Sequence, residues 1–263
     1  MTARTTTEAM TALPDQLLRL PPAEVEELAC RAHLGVWTAR RRKLPMAPFH
    51  WEWCELAMTE RRLAIVAPRD HSKSESFSVN ATTWRSTYQI GVWTYIFMRT
   101  GDQAKEMITR IESAMQETCP QLVDPPRRRT SNDILFQNGS RVTAAGAGKA
   151  VRGAHPDFIV GDDVLEERSA TTELERKRVD RWWKGTVANM AHPGSVRAVR
   201  MDQHSEPVRV VMPPTRVFLV GTPFHEQDLL LGMRSNPLYA YRRYAAEFRP
   251  EDLVPGTWAV EVS

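Results

Sequence analysis

Cysteine is scarce in this chain, and its three copies, Cys30, Cys54 and Cys119, stand far apart. An odd, scattered set offers neither a disulfide framework nor the paired spacing of a zinc site, so a reduced, cytosolic compartment is the simplest expectation. Long apolar runs are missing too: none approaches the roughly 20 residues of a membrane span. The polar, Thr-rich N-terminus has no signal-like apolar core. No Ser/His/Asp or Cys/His order points to a covalent nucleophile, and no internal repeat or low-complexity block appears. Charge of one sign is in only slight excess. A formal net charge of +3 over 263 residues permits contact with nucleic acid without arguing for it.

What is present is an ordinary globular composition, 42% hydrophobic and 25% charged, long enough for one large α/β domain with an appendage. Residues 1–20 read as a disordered tail and 21–55 as a helical and linker segment. One helix is expected from Pro22 to Arg41, closed by the cations Arg40 to Lys43, and a further helix through Met58. Then come the strand Leu63–Ala67, a helix Ser74–Arg85, a strand Val92–Met98 and a helix Gly101–Thr118 that Pro120 ends. Asn138-Gly139, between Ile134–Phe136 and Arg141–Thr143, signals a hairpin beyond the basic loop Pro125–Arg129. Strand Phe158–Gly161, helix Glu173–Val187, strand Val217–Val220, a short helix Glu226–Arg234 and a last strand Tyr241–Phe248 follow. Pro193–Pro214, polar and Pro-punctuated, reads as a mobile loop. Strands alternating with helices predict a mostly parallel sheet with helices on both faces.

Three buried strands in this scheme end in unusual polar loops, and such sheets bind ligands at their C-terminal edge. The first loop is Pro68-Arg69-Asp70-His71-Ser72-Lys73-Ser74. A strand, a short loop and then Lys-Ser opening a helix is the layout of a phosphate-binding loop. Ala67 and Ser72 occupy the positions where that motif has glycine. A functional loop would put Lys73 on the β- and γ-phosphates and the Ser74 hydroxyl on magnesium, with Arg69 as a second cation. An ordinary turn with an exposed Lys is the competing reading. The second loop follows Phe158-Ile159-Val160-Gly161 with Asp162-Asp163. Helix capping needs one carboxylate. Two suit a magnesium ligand, Asp162, beside a water-polarising group, Asp163, with Glu166 or Glu167 as other bases. The third is Gly221-Thr222-Pro223. His225 with Asp228 is a weak metal pair and Asp228 a better helix cap, while Trp182-Trp183 reads as core. Arg152, in the small-residue loop before the acidic strand, could reach a phosphate in its own subunit or a neighbour's.

Taken in order, these segments resemble the ATPase half of the large terminase subunits of tailed phages, over about Phe49 to Phe248. The resemblance implies a P-loop NTPase of the additional-strand (RecA-like) class, with an ATPase domain over 56–250 and a C-terminal linker over 251–263. It implies ATP and Mg2+ as cofactors, bound by the loop from Arg69 through Asp70, His71, Ser72 and Lys73 to Ser74. Further roles carry over in the same way: Asp162 as metal ligand with Ser74, Asp163 as catalytic carboxylate, Arg152 as arginine finger, Thr222 as coupling residue, and His50 where an adenine contact is usual. Double-stranded DNA, a portal protein, a small terminase subunit and a homo-oligomeric ring, pentameric on the portal, are the implied partners. The implied setting is the host cytoplasm, transiently at the procapsid. The family's nuclease domain has no counterpart here, so no DNA cleavage is expected of this chain. A helicase-like ATPase and an inactive scaffold module are the rival readings.

Overall fold

In the computed structural model, which describes residues 20–123, 127–149, 151, 153–165, 172–201, 206–247 and 250–260, the apolar run at Leu63 forms β1 (Arg62–Val66), buried after its first residue. A strand this apolar on consecutive positions has to be covered on both faces. The same holds for β2 (Trp93–Met98), β6 (Phe158–Asp162) and β9 (Arg216–Gly221). With β3 (Arg128–Thr130), β4 (Asp133–Leu135), β5 (Arg141–Gly146) and β10 (Ala240–Arg243), they make one sheet in the order β10-β1-β9-β6-β2-β5-β4-β3. The six strands from β10 to β5 run parallel, and β4 and β3 extend the sheet antiparallel. β9 stands between β1, which leads into the loop with Lys73 and Ser74, and the acid-tipped strand β6, which is the additional-strand arrangement.

Helices cover both faces. On one side Ile65, Ile96, Val160 and Phe218 pack with α3 (Pro48–Thr59), α4 (Ala81–Tyr88) and α5 (Gly101–Thr118). Ala64, Phe97, Ile159 and Leu219 point the other way, toward α6 (Glu173–Trp182), its π-helical continuation Trp183–Val187, α7 (Ala188–Met190) and α8 (Leu229–Gly232). Trp182 and Trp183 are core residues, as expected: the Trp182 ring lies edge-on to Phe97 at 5.1 Å and Trp183 is 1% exposed. This is the mostly parallel, two-sided α/β sheet of the RecA-like P-loop class. Among the described residues no helix is long and apolar enough to cross a membrane.

Several expectations need correction. The single helix from Pro22 to Arg41 is two, α1 (Pro22–Ala32) and α2 (Leu34–Arg41). His33 takes an extended backbone, and its Nδ1 accepts from Gly35 N at 2.9 Å and Val36 N at 3.3 Å. Capping a second helix outweighs continuing the first. Pro193–Pro214 is not a loop throughout. β7 (Ser195–Val199) and β8 (Val208–Met212) pair antiparallel as a ribbon, because Val196, Val199, Val208, Val210 and Val211 favour extended backbone and the prolines sit outside the paired residues. α1, α2 and α3 are not peripheral: Cys30, Leu34, Trp37 and Trp53 belong to the same core as the sheet.

Gly161 illustrates how tightly β6 is packed. A Cβ there would lie 2.5 Å from the Trp183 ring and 3.1 Å from Leu219. Gly161→Ala is therefore expected to destabilise the protein by about 1–3 kcal/mol through overpacking. Gly185→Ala, with open space at that position, serves as control in the same thermal melts.

Candidate nucleotide site at the sheet rim

Because β1, β9, β6 and β2 are parallel and in register, their C-terminal ends fall on one rim: Val66 beside Gly221, Val220 beside Asp162, Asp162 beside Met98. All three polar loops leave from there. The structure thus brings Lys73, Ser74, Asp162, Asp163 and Thr222 together, although they span 150 positions of sequence.

The loop after β1 has the shape that glycines normally supply. Asp70 and Ser72 take left-handed backbone angles, with φ of 62° and 58°, a region that costs a residue with a Cβ on the order of 1 kcal/mol. His71 Nδ1 donates to Arg69 O at 3.0 Å inside the turn, and His50 Nε2 donates to His71 O at 3.2 Å from α3. His50 Nδ1 accepts from Ala47 N at 3.1 Å, so both ring nitrogens brace the loop against the N-terminus of α3. Burial holds the His50 imidazole below its ordinary pKa and hence neutral.

Lys73 is 6% exposed and turns its ammonium under the loop. Its Nζ donates to Ala67 O at 2.8 Å, Pro68 O at 2.5 Å and Thr222 Oγ1 at 3.1 Å. Burial lowers its pKa, while Asp163 and Asp162 pull the other way. The next residue, Ser74, begins a π-helical turn (Ser74–Asn80), and its Oγ donates to Asp162 Oδ1 at 3.0 Å. Ser78, on the same helical segment, donates to Asp162 Oδ2 at 2.7 Å. Ser78 was not singled out from sequence. Its signal was its place four residues beyond Ser74, one turn along the same face.

Asp162 has no exposed surface, and burial raises its pKa to about 6 despite the two serine hydroxyls. A hard divalent cation fits this donor set: one carboxylate and one hydroxyl 3.0 Å apart, at the edge of a cleft lined by cations that suit phosphate. Among the described residues no group of three or more His, Cys, Asp or Glu could form an all-protein metal cage. Magnesium rarely uses one, preferring one or two carboxylates plus substrate phosphates.

Asp163 also has a left-handed backbone, with φ of 44°. Its Oδ1 accepts from Thr222 N at 3.0 Å. Only glycine admits this contact, since a Cβ on Gly221 would lie 2.9 Å from the same oxygen. Thr222 Oγ1 donates to Ala67 O at 3.2 Å, so one residue touches the β1 loop, Lys73 and the second acid.

These groups face a cleft of about 800 Å³ whose walls include Arg69, Lys73, Arg99, Arg110, Asp163 and Phe224. Arg69 lies over the Phe224 ring at 5.9 Å. Arg110 pairs with Glu75 at 2.9 Å, and Glu75 also holds Arg42 at 2.8 Å. Arg99 and Arg110, brought in by β2 and α5, carried no motif that sequence reading could use. Asp228 caps α8, as expected, accepting from Leu231 N at 2.9 Å and Phe224 N at 2.9 Å. Arg152, Glu166 and Glu167 lie outside the described residues.

No protein-family model matches the chain. No curated protein matches it. Among solved structures, the large terminase ATPase domain of Thermus phage P74-26 aligns over 86% of this chain and 86% of its own, with a TM-score of 0.54 and 15% identity. A variant of that domain with one arginine changed to alanine aligns over 78% of this chain and 83% of its own, with a TM-score of 0.54 and 12% identity. The fold is therefore that of a phage large-terminase ATPase domain.

Proposed function

We propose that this chain hydrolyses ATP to drive double-stranded DNA into a viral procapsid, as the motor domain of a large terminase subunit. One observation carries the reading: Ser74 and Asp162, from separate strand ends, meet at 3.0 Å beside the buried Lys73, the pairing that a magnesium nucleotide requires. The fold likeness supports the packaging role over other ATPase roles.

In this reading Lys73 and Arg69 bind the β- and γ-phosphates, while backbone amides of Asp70, His71 and Ser72 line them. Ser74 and Asp162 would hold Mg2+, which offsets phosphate charge when bound. Asp163 accepts a proton from the attacking water. Its hydrogen bond to Thr222 N passes any shift of the carboxylate to the loop after β9, the coupling element. His50 supports the loop from below. Arg152 reaches the phosphates of an adjacent subunit in a ring, and the remaining partners are a portal protein and a small terminase subunit in the host cytoplasm.

The direct test is magnesium-dependent ATP binding, followed by subunit mixing. Lys73→Ala and Arg152→Ala proteins should each be inactive alone and regain DNA-stimulated phosphate release when mixed, because mixed interfaces pair an intact loop with an intact finger. ATP binding that is absent or indifferent to magnesium would reduce the chain to a scaffold. Binding without complementation would confine Arg152 to its own subunit.

A further inference from the structure

The edge of the sheet opposite the nucleotide rim carries a second built feature. There β2 and β5 begin, six residues and thus about 20 Å from their other ends. The β7–β8 ribbon is clamped onto that edge by Val199. A Cβ on Gly91 or Gly139 would come within 2.4 Å of a Val199 methyl, so the valine seats where only glycines leave room. Between ribbon and sheet runs an open groove of about 590 Å³.

Four arginines line this groove, Arg127, Arg141, Arg197 and Arg200, and among the described residues no carboxylate does. Two are held in place from behind. Arg141 bonds Asp133 at 2.5 Å and lies over the Trp93 ring at 4.7 Å. Arg197 bonds the buried Asp157 at 2.6 Å, an acid that also binds His192 at 3.0 Å. The other two, exposed and meeting no carboxylate among the described residues, sit at one end, where Arg127 donates to Arg200 O at 2.5 Å. Guanidiniums strung along an open trough, two of them anchored, do not enclose a small anion. They suit a chain of phosphates. Among the described residues, Trp93 is the groove's one aromatic. Its Nε1 is committed to Thr143 Oγ1 at 3.0 Å, one face is covered by Arg141 and the ring packs partly against the core, so the groove offers no run of platforms for unpaired bases.

We infer that this groove binds the sugar-phosphate backbone of a nucleic-acid duplex, through Arg127, Arg141, Arg197 and Arg200 and without reading sequence. The inference does not depend on the nucleotide site.

The test is fluorescence anisotropy of the full chain with unrelated 25-base-pair DNA duplexes, an RNA duplex and a single strand, across a salt series. Arg127→Ala/Arg200→Ala leaves every internal ion pair standing, so folding is preserved, and melting curves check it. The double variant should bind duplex at least about tenfold more weakly at 0.1 M salt, with the log–log salt slope smaller by about two. The loss should be equal for unrelated sequences, while Arg178→Ala/Arg181→Ala on α6 binds as wild type. A preference between DNA and RNA duplexes names the source of the backbone and upholds the site. An unchanged salt slope in the double variant, tighter binding of the single strand, or no duplex binding by wild type overturns it. ATP binding, measured on the same samples, reports separately on the rim.

Discussion

Lys73→Ala is expected to lower the hydrolysis rate by about 10²- to 10³-fold, the usual cost of removing one preorganised group that meets developing charge. Binding of magnesium ATP should weaken in parallel. Lys73 places all three of its donors on Ala67 O, Pro68 O and Thr222 Oγ1, so it stands under the loop that would wrap the phosphates and would exchange these bonds for phosphate oxygens. Lys73→Arg should not rescue activity. A planar fork cannot occupy a buried point donor's place under the turn. Isothermal titration with ATP and a phosphate-release assay read the two effects, and wild-type turnover by Lys73→Ala would remove the loop from the mechanism.

Asp162→Asn is expected to move stability and activity in opposite directions. Burial raises the folded pKa of Asp162 to about 6 from its ordinary 3.8. The folded protein therefore holds this proton more tightly than the unfolded chain does. That contribution is complete below pH 3.8, fades as pH rises through about 6, and is gone at neutrality, a swing of up to about 3 kcal/mol. Asparagine keeps acceptor and donor atoms for Ser74 and Ser78 and carries no charge to bury. At pH 7 without magnesium the variant should melt several degrees above wild type, with the difference closing toward pH 5. Hydrolysis should be lost at every pH. In the wild type, binding of magnesium ATP should weaken as pH falls below about 6, because the ion needs the carboxylate. A variant that melts lower than wild type at pH 7 would show that the carboxylate's charge is stabilised, not strained.

Much of this was legible because buried parallel strands write themselves as unbroken apolar runs. Leu63–Ala67, Phe158–Gly161 and Val217–Val220 were found that way, and Gly101–Thr118 matches α5 to the residue because its cap Thr100 and its stop Pro120 are local signals. The pairing of Ser74 with Asp162 followed from placing strand ends on one rim. Other features have no local signature. The left-handed turns at Asp70 and Ser72 exist because Lys73, His71 and His50 bind the loop from several sides, and no single residue type announces that. His33 ends a helix through hydrogen bonds to residues that follow it, against an unbroken helical pattern. The pairing of β7 with β8 was hidden by the prolines around it, and the arginine groove needs β2, β5 and the ribbon to be assembled before four scattered cations become neighbours.

The bond from Thr222 to Asp163 uses a main-chain nitrogen. A survey that trims one side chain after another would pass over it, and an unaffected Thr222→Ala protein would leave that wire intact. What guards the connection is the empty flank of the preceding glycine, so natural variation there should be tolerated least where no functional group is visible.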